Sequence, residues 1–333
     1  FFFSSRRRHT RYISVTGVQT CALPILCLTA TAQTPVWPTQ PVKIVVAFAP
    51  GGAADQLARA IGPALQQALG QSVVIENKVG AGGNIAADFV AKSTPDGHTL
   101  LMGSGGIFSI NPHLYNKMPF DPVKDLVPVA SVARVPQYLV VRADSGITSL
   151  AGLLADLKAH PGQRSFGSPG VGTSGHLASE MLLAHAGVKA IHAPYRGGGP
   201  AVTDLLSGQL NFLFDSGAAL PHVRSGKLRL LGVASPSRSP SLPGTPTLDE
   251  QGLTGFNADT VFGLYAPAAT PTLTINRLHA EINRLLREGP VKEQILQSGQ
   301  VPQPQTLEQF TRGTQADHER YGSIKKESGI RAD

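Results

Sequence analysis

The sequence is poor in cysteine. Its 333 residues include two cysteines, Cys21 and Cys27, both near the N-terminus. It lacks a C-x-x-C pair, an H-E-x-x-H motif and a G-x-x-x-x-G-K-[ST] phosphate loop, so none of those sites is predicted. It also lacks any run of about 18 apolar residues, so no transmembrane helix is predicted.

The pattern of the first 35 residues does not predict a part of a folded domain. Residues 1–25, including "SVTGVQTCALPI", resemble the translation of common short-read sequencing adapter DNA. We interpret residues 1–35 as this artefact followed by the end of a signal peptide, "LCLTATAQ", and expect them to be disordered. An intact secretion signal fits less well, because polar residues separate the charges from the apolar run and Pro24 breaks it. A basic arm for nucleic acid is the other alternative, which nothing downstream supports.

The net charge depends on this interpretation. The whole sequence carries 29 Lys and Arg against 22 acidic residues, a formal charge of +7. Without the four arginines of residues 1–35, 25 basic residues remain against 22, a charge of about +3. No polyanionic partner is therefore expected, and nucleic acid in particular is not.

Strand and helix patterns alternate through the first third of the chain. "PVKIVVAFA" (41–49) is a short apolar run typical of a buried strand, and an apolar stripe from Leu57 to Leu69 predicts a helix that ends at Gly70. Two further strands and a helix follow by residue 104, which predicts a parallel sheet with crossover helices. In the second helix we expect three side chains to face inward: Ile85, Phe89 and Val90.

The same alternation restarts near residue 137 and changes near residue 256, where amphipathic helices dominate. We therefore predict an α/β protein with two lobes, each a mostly parallel sheet flanked by helices. Residues 36–137 and 256–333 are assigned to the first lobe and residues 138–255 to the second.

Glycine-rich turns recur between a strand and the start of a helix. They are "APGGAAD", "VGAGGN", "SPGVGTSGH" and "YRGGGPA". The start of a helix carries unpaired N–H groups and a partial positive charge, so several such ends around one crevice make an anion site. Any one of these turns is typical of an ordinary strand-to-helix connection. Four such turns, distributed over both lobes, favour a cleft that binds a small anion. In open α/β sheets such loops lie at the carboxyl ends of the strands, where ligands bind.

Other chemistries have weaker signals. "GVGTSG" (170–175) resembles a dinucleotide-binding fingerprint, but the next strand, "AIHAPY", does not end in an acidic residue. Three histidines spaced 9 and 7 residues apart favour surface or capping roles over a metal site: His176, His185 and His192. Three serines could act as nucleophiles, although no G-x-S-x-G elbow or triad is readable: Ser104, Ser168 and Ser174. We expect no metal and no cofactor.

Several longer motifs resemble those of the Bug family, the substrate-binding proteins of tripartite tricarboxylate transporters. They include "VVAFAPGGAADQLARAI", "PFDPVKDLVPVASVA", "FGSPGVGTSGHLASEML" and "HAPYRGGGPAVTDLLSGQLNFLFD". The resemblance runs in order from about Trp37 to the C-terminus. It implies a monomeric periplasmic receptor with the type II periplasmic-binding-protein-like fold, which closes its lobes on a small carboxylate and delivers it to membrane permease subunits.

The resemblance also implies a set of ligand-binding residues in both lobes. They are Phe48, Ala49, Pro50, Gly51, Gly52, Asp55, Ser104, Ser168, Gly170, Thr173, Ser174, His176, Tyr195, Gly198 and Asp215. Asp55 fits a structural role equally well, and an inward Asp215 would suit a ligand with an ammonium group. Arg196 stands where many relatives have lysine, and it either binds a carboxylate or points to solvent.

Two other functions are compatible with the same residues. A sensor subunit would bind the same ligand but present it to a membrane kinase. An enzyme acting on small organic acids would need a nucleophile, and Ser174 is the residue whose removal would test it. The resemblance itself implies a binding protein and not an enzyme.

Overall fold

The computed structural model describes residues 37–328, with side chains described to residue 322. The interpretation of residues 1–35 as adapter sequence and a disordered signal remnant lies outside the described residues. Within them, no helix is both long and apolar enough to span a membrane.

Strands and helices alternate along the described chain. The strands are β1 (Val42–Val46), β2 (Val73–Asn77), β3 (Thr99–Ser104), β4 (Leu126–Val135), β5 (Tyr138–Arg142), β6 (Ser165–Ser168), β7 (Ile191–Pro194), β8 (Phe212–Asp215), β9 (Leu228–Val233), β10 (Thr260–Pro267) and β11 (Val301–Pro302). The helices are α1 (Ala53–Leu69), α2 (Asn84–Ala91), α3 (Gly106–Ser109), α4 (Asn111–Leu114), α5 (Leu150–Ala159), α6 (Ser174–Ala186), α7 (Gly198–Leu206), α8 (Leu220–Arg224), α9 (Thr272–Arg287), α10 (Pro290–Gln297) and α11 (Leu307–Ser328), with a 3-10 turn at Ala81–Gly83.

The strands form two sheets, which confirms the predicted two-lobe α/β fold. A six-stranded sheet has the order β11-β4-β10-β3-β1-β2, and a five-stranded sheet has the order β7-β6-β8-β5-β9. We call the part built on the six-stranded sheet the first lobe and the part built on the other the second lobe. Each sheet has its own buried apolar core.

The sheets are more mixed than the predicted mostly parallel ones. β1 is parallel to β2 and β3, and β6 is parallel to β7 and β8, as the crossover helices require. The strand by which the chain enters each lobe from the other runs in the opposite direction. β10 is antiparallel to β3 and β4, and β5 is antiparallel to β8 and β9.

Helix α1 illustrates how the sequence fixes an element. The side chains of Leu57, Ile61 and Leu65 are fully buried. Gly70 ends the helix in the left-handed region (φ 69°), where its N–H donates to the carbonyl oxygen of Gln66. The predicted stripe and stop signal are both confirmed.

Helix α2 corrects one prediction. Val90 is fully buried, but Ile85 is 51% exposed and Phe89 is 39% exposed. The small side chains of Ala86 and Ala87 are buried in their place, so the helix turns its larger residues outward. The ammonium group of Lys78 covers the Phe89 ring, 4.5 Å from its centroid.

Candidate ligand-binding crevice

A crevice between the two lobes is lined from both sides, and we call it the inner crevice. The first lobe contributes Phe48, Gly52, Ala53, Ala54, Ser104 and Phe262. The second lobe contributes Pro169, Thr173, Ser174, Gly198, Asp215 and Ser216. The space open to the centre of a water molecule is about 30 Å³, so the crevice is narrow. We call this arrangement, in which Ala49 contacts Arg196 across the crevice, the closed arrangement.

Three helices begin at this crevice. α1 starts after Gly52, α6 starts after Thr173 and α7 starts after Gly197. Among the described residues, no side chain caps any of these three N-termini. The hydroxyl of Thr173 donates instead to the carbonyl oxygen of Gly170, at 2.7 Å. First-turn N–H groups from both lobes are therefore available to a ligand, and the helix dipoles favour a negative charge there.

The helix starts of opposite lobes lie close together. A methyl group placed on Gly52 would be 3.9 Å from the amide nitrogen of Gly198. The N–H of Ala49 donates to the carbonyl oxygen of Arg196 at 3.3 Å, which joins the two lobes directly. A small anion held here would accept hydrogen bonds from both lobes at once.

Asp55 is placed behind the first loop and not among the lining residues. Its carboxylate accepts hydrogen bonds from the Gly51 N–H (2.9 Å), the Arg59 side chain (2.9 Å) and the Asn77 amide (3.0 Å). Asn77 also donates to the carbonyl oxygen of Phe48, at 2.9 Å. Burial alone would raise the pKa of Asp55, but these hydrogen bonds outweigh it and lower the pKa. Asp55 therefore fixes the loop that carries Phe48 and Gly51.

His176 is also not among the lining residues. Its ring stacks on His192 with centroids 4.0 Å apart, and His192 stacks in turn on Phe166 at 4.8 Å. The N–H of Gly172 donates to Nδ1 of His176 at 3.3 Å, so the stack supports the loop before α6. Of the predicted surface or capping roles, the surface role is wrong for His176, which is buried, whereas His185 is exposed.

Ser168 belongs to this histidine stack. Its side-chain oxygen lies 2.7 Å from Nε2 of His192, and the residue is fully buried at the end of β6. Burial lowers the pKa of His192 to about 3, with a smaller contribution from the charge of His176. Ser168 is not among the residues that line the inner crevice.

Asp215 lines the crevice with a buried carboxyl group. Its Oδ2 accepts the N–H groups of Gly217 (2.7 Å) and Ala219 (2.8 Å), which organises the loop after β8. Burial raises the pKa of Asp215, although these backbone donors and Ser216 oppose the shift. A neutral Asp215 is compatible with a nearby carboxylate, whereas an ionised one would repel it.

The remaining predicted residues lie around the rim. Gly170 and Tyr195 line a second space, which Arg196 also lines. The Tyr195 hydroxyl donates to Asp204 at 2.6 Å. Pro50 and Gly51 are exposed at the tip of the first loop, outside the inner crevice. Of the predicted set, the structure brings these to the inner crevice: Phe48, Gly52, Ser104, Thr173, Ser174, Gly198 and Asp215.

The sequence interpretation did not name five lining residues: Ala53, Ala54, Pro169, Ser216 and Phe262. Ala53 and Ala54 follow the first glycine turn directly, so their position at a helix start was a usable signal. Phe262 has no such signal, because it reaches the crevice from β10, which pairs with β3.

Metal binding has no candidate in this region. Within the described part of the chain, no three histidine, cysteine, aspartate or glutamate side chains are grouped so that they could hold a metal ion. The groups at the crevice include N–H donors, hydroxyls and one carboxyl group.

Similar proteins identify the family. Residues 57–330 match the model of the tripartite tricarboxylate transporter family receptor. Protein BugT of Bordetella pertussis is 36% identical over 325 residues, which cover 97% of this chain and 98% of BugT. A protein from the tcbD–tcbE intergenic region of Pseudomonas sp. strain P51 is 42% identical over 265 residues, 79% of each chain.

Solved structures agree with the sequence relatives. The R. palustris protein Rpa4515, solved with adipate, has a TM-score of 0.86 at 34% identity, covering 89% of this chain and 99% of that one. MatC of Rhodopseudomonas palustris, solved with malate, has a TM-score of 0.82 at 32% identity, covering 86% and 99%. The chain therefore belongs to the Bug family of tripartite tricarboxylate transporter receptors.

Proposed function

We propose that this protein is an exported solute receptor that captures a small organic carboxylate between its lobes. One observation carries the proposal: three helix N-termini from both lobes converge on one crevice. An anion there gains N–H hydrogen bonds from each lobe, so binding favours the closed arrangement. The relatives solved with adipate and malate support a carboxylate as the ligand.

The lobes are proposed to move as rigid bodies with the bounds predicted from the sequence. The chain passes between them twice, after β4 and after β9, and the strand ends pair closely at both crossings. Val135 pairs with Thr260 in the first sheet, and Tyr138 pairs with Val233 in the second. Two adjacent crossings form a natural hinge.

A charged cluster ties the two crossings together. The guanidinium of Arg134, near the end of β4, donates to Asp259 and to the Ser235 hydroxyl, the latter at 2.7 Å. Ser235 also donates to Asp259, at 2.6 Å. This cluster supports a hinge whose two strands bend together.

A binding role is proposed in preference to an enzymatic one. Ser174 faces the crevice, but the serine with a histidine at hydrogen-bond distance is Ser168, which is buried away from it. If the protein were an enzyme on small acids, Ser174→Ala would abolish turnover of a bound acid. We expect that acids incubated with the protein are recovered unchanged.

The proposed destination of the ligand is the permease of a tripartite tricarboxylate transporter, reached from the periplasm by a monomeric receptor. Family membership supports this assignment. Light scattering of the purified chain tests the monomer, and fractionation of cells that express the natural gene tests export. Uptake of the ligand that depends on both receptor and permease genes distinguishes transport from signalling to a kinase.

Ser174→Pro tests the crevice directly. Proline is tolerated at the first position of a helix, where it removes the N–H but keeps the helix. Thr173 has φ −77° and ψ 160°, which suits a residue before proline. We expect a thermal-shift screen of small carboxylates to find a ligand that stabilises the parent protein. At a concentration of a hundred times Kd, this ligand should add about 2.7 kcal/mol to the free energy of unfolding. Ser174→Pro should lower the affinity for the same ligand by about tenfold or more.

Thr272→Pro is the matched control, because Thr272 is the exposed first residue of α9, outside the residues that line the crevice. It should leave affinity unchanged. The proposal fails if a broad panel of acids stabilises none of the properly folded parent protein. The role of the α6 start fails if both proline variants bind as the parent does.

A further inference from the structure

A second space adjoins the inner crevice, and we call it the outer crevice. The first lobe lines it with residues 79–83, Ile85 and Tyr115, and the second lobe with residues 169–171 and 194–196. Phe48 and Pro169 line both spaces, so the two are neighbours. The outer crevice offers about 430 Å³ to the centre of a water molecule, against about 30 Å³ in the inner crevice.

These volumes limit how a ligand is placed. A site needs roughly 10–15 Å³ by this measure to hold one water. The inner crevice therefore has room for a group about the size of a carboxylate, but not for the rest of an organic acid. If the carboxylate lies at the helix starts, the body of the ligand extends into the outer crevice.

The walls of the outer crevice are apolar or formed by glycine backbone. Val79, Ile85 and Val171 contribute aliphatic groups. The hydroxyls of the two tyrosines are engaged elsewhere, since Tyr195 donates to Asp204 and Tyr115 donates to the carbonyl oxygen of Val171 at 3.4 Å. Such walls favour a hydrocarbon chain or ring over a body that carries hydroxyl groups.

One cationic residue borders this apolar space. Arg196 is the only charged side chain among the residues that line the outer crevice. It is exposed, and within the described residues its guanidinium forms no ion pair. A second anionic group at the far end of a ligand would find there a donor suited to bidentate hydrogen bonds.

We propose that Arg196 is a specificity-determining residue that selects acids with an apolar body and a second anionic group at the far end. The inference rests on the proposed function and adds the ligand class to it. The first carboxylate is held by the helix starts, the apolar body fills the outer crevice, and Arg196 binds the second anion.

The test compares diacids with monoacids of matched shape by titration calorimetry of the full chain. The pairs are adipate with hexanoate and terephthalate with 4-methylbenzoate. Succinate is the short diacid, whose second carboxylate we expect not to reach Arg196. We expect each long diacid to bind at least about tenfold tighter than its monoacid partner. Arg196→Gln should remove this preference, lowering the affinity for the long diacids far more than the affinity for the monoacids.

Two further variants sharpen the result. Arg196→Lys keeps the charge but loses the planar donor pair, so it should retain only part of the preference. Arg287→Gln removes one exposed positive charge from α9, away from both crevices, and should change nothing.

The outcomes separate the two proposals. If no acid binds the parent protein, the proposed carboxylate receptor fails. If acids bind but succinate binds as tightly as adipate, or if Arg196→Gln preserves the diacid preference, the inference about Arg196 is overturned while the receptor function stands.

Discussion

Ala49 and Arg196 are joined across the crevice by a backbone hydrogen bond of 3.3 Å from the N–H of Ala49 to the carbonyl oxygen of Arg196. The next residue, Gly197, has φ 155°, a conformation that residues with a side chain rarely adopt. A methyl group on Gly197 would lie 2.6 Å from Cβ of Ala49 and 3.1 Å from its nitrogen. The closed arrangement therefore requires glycine at position 197.

Gly197→Ala should hold the lobes apart. Overpacking of this kind typically costs about 1–3 kcal/mol, and the cost falls on the closed state alone if the open state relieves the collision. We expect ligand affinity to fall by about tenfold or more, measured by calorimetry with any acid that stabilises the parent protein. Small-angle scattering should show that the ligand compacts the parent protein more than the variant.

Gly226→Ala is the control for this prediction. Gly226 also has a positive φ, of 74°, but a methyl group there would meet no atom within 4 Å. Gly226→Ala also places a side chain at a positive φ, but without a collision, so it should lower stability and leave affinity unchanged. Equal loss of affinity in both variants would show that the Gly197–Ala49 contact is not what limits closure.

Asp55→Asn should weaken the first loop. An asparagine replaces one carboxylate oxygen with an NH₂ group, which must then face the donors of Asn77 or Arg59. We expect a loss of about 1–3 kcal/mol in the free energy of unfolding, measured with urea near neutral pH. Ligand affinity should also fall, because the loop from Phe48 to Gly52 loses its support.

The stability that Asp55 contributes should also depend on pH. The folded pKa of Asp55 is lowered, so its contribution is present above the ordinary value of 3.8 and is lost as the pH falls through the folded value. Asp144→Asn is the control, since Asp144 is 74% exposed and pairs with Arg142 at 3.1 Å. It should cost at most about 1 kcal/mol. A similar cost in both variants would contradict the supporting role of Asp55.

How far the sequence predicted the crevice depends on whether each signal was local. The glycine turn at residues 50–52 and the helix after it are adjacent in sequence, so their geometry followed from turn and cap chemistry. Gly52, Ser174 and Gly198, which the family resemblance implies as ligand-binding residues, line one crevice, and each lies where a strand-to-helix loop ends.

Other features depend on packing that a single sequence does not encode locally. His176 and His192 are sixteen positions apart, and only the fold stacks their rings 4.0 Å apart. Ile85 and Phe89 fit a buried helical stripe, yet the small Ala86 and Ala87 pack inward, so the helix is rotated. The antiparallel strands arise because the chain crosses between lobes twice, which periodicity does not reveal.

Asp215→Asn should change how affinity depends on pH. The pKa of Asp215 is raised by burial, so its contribution to stability is full below the ordinary value of 3.8 and is lost as the pH rises through the raised value. Over the same rise the ionised carboxyl group repels the carboxylate of the ligand. We expect the affinity of the parent protein for a simple acid to fall with rising pH, and that of Asp215→Asn to stay nearly constant.

Calorimetry from about pH 6 to about pH 8 checks this, a range above the pKa of simple carboxylic acids. Asp144→Asn again serves as the control and should follow the parent protein. An affinity that rises with pH in the parent protein and not in Asp215→Asn would instead indicate a ligand with an ammonium group opposite Asp215.

The histidine stack predicts sensitivity to acid. Burial and the charge of His176 lower the folded pKa of His192 to about 3, whereas an unfolded histidine titrates near 6.5. The neutral ring therefore contributes stability that is present above pH 6.5 and is lost as the pH falls toward about 3. The loss is at most about 1.4 kcal/mol per pH unit, and solvent screening reduces it because the ring is only partly buried.

His192→Gln removes the titrating ring. It should be less stable than the parent protein at neutral pH, because it loses the stacking on Phe166 and His176, but its stability should decline less steeply below pH 6.5. Urea unfolding at a series of pH values measures both effects. His185→Gln alters an exposed histidine on α6 and should keep the slope of the parent protein. If His192→Gln keeps that slope too, the acid sensitivity arises from another group, and the stack supports the loop before α6 by packing alone.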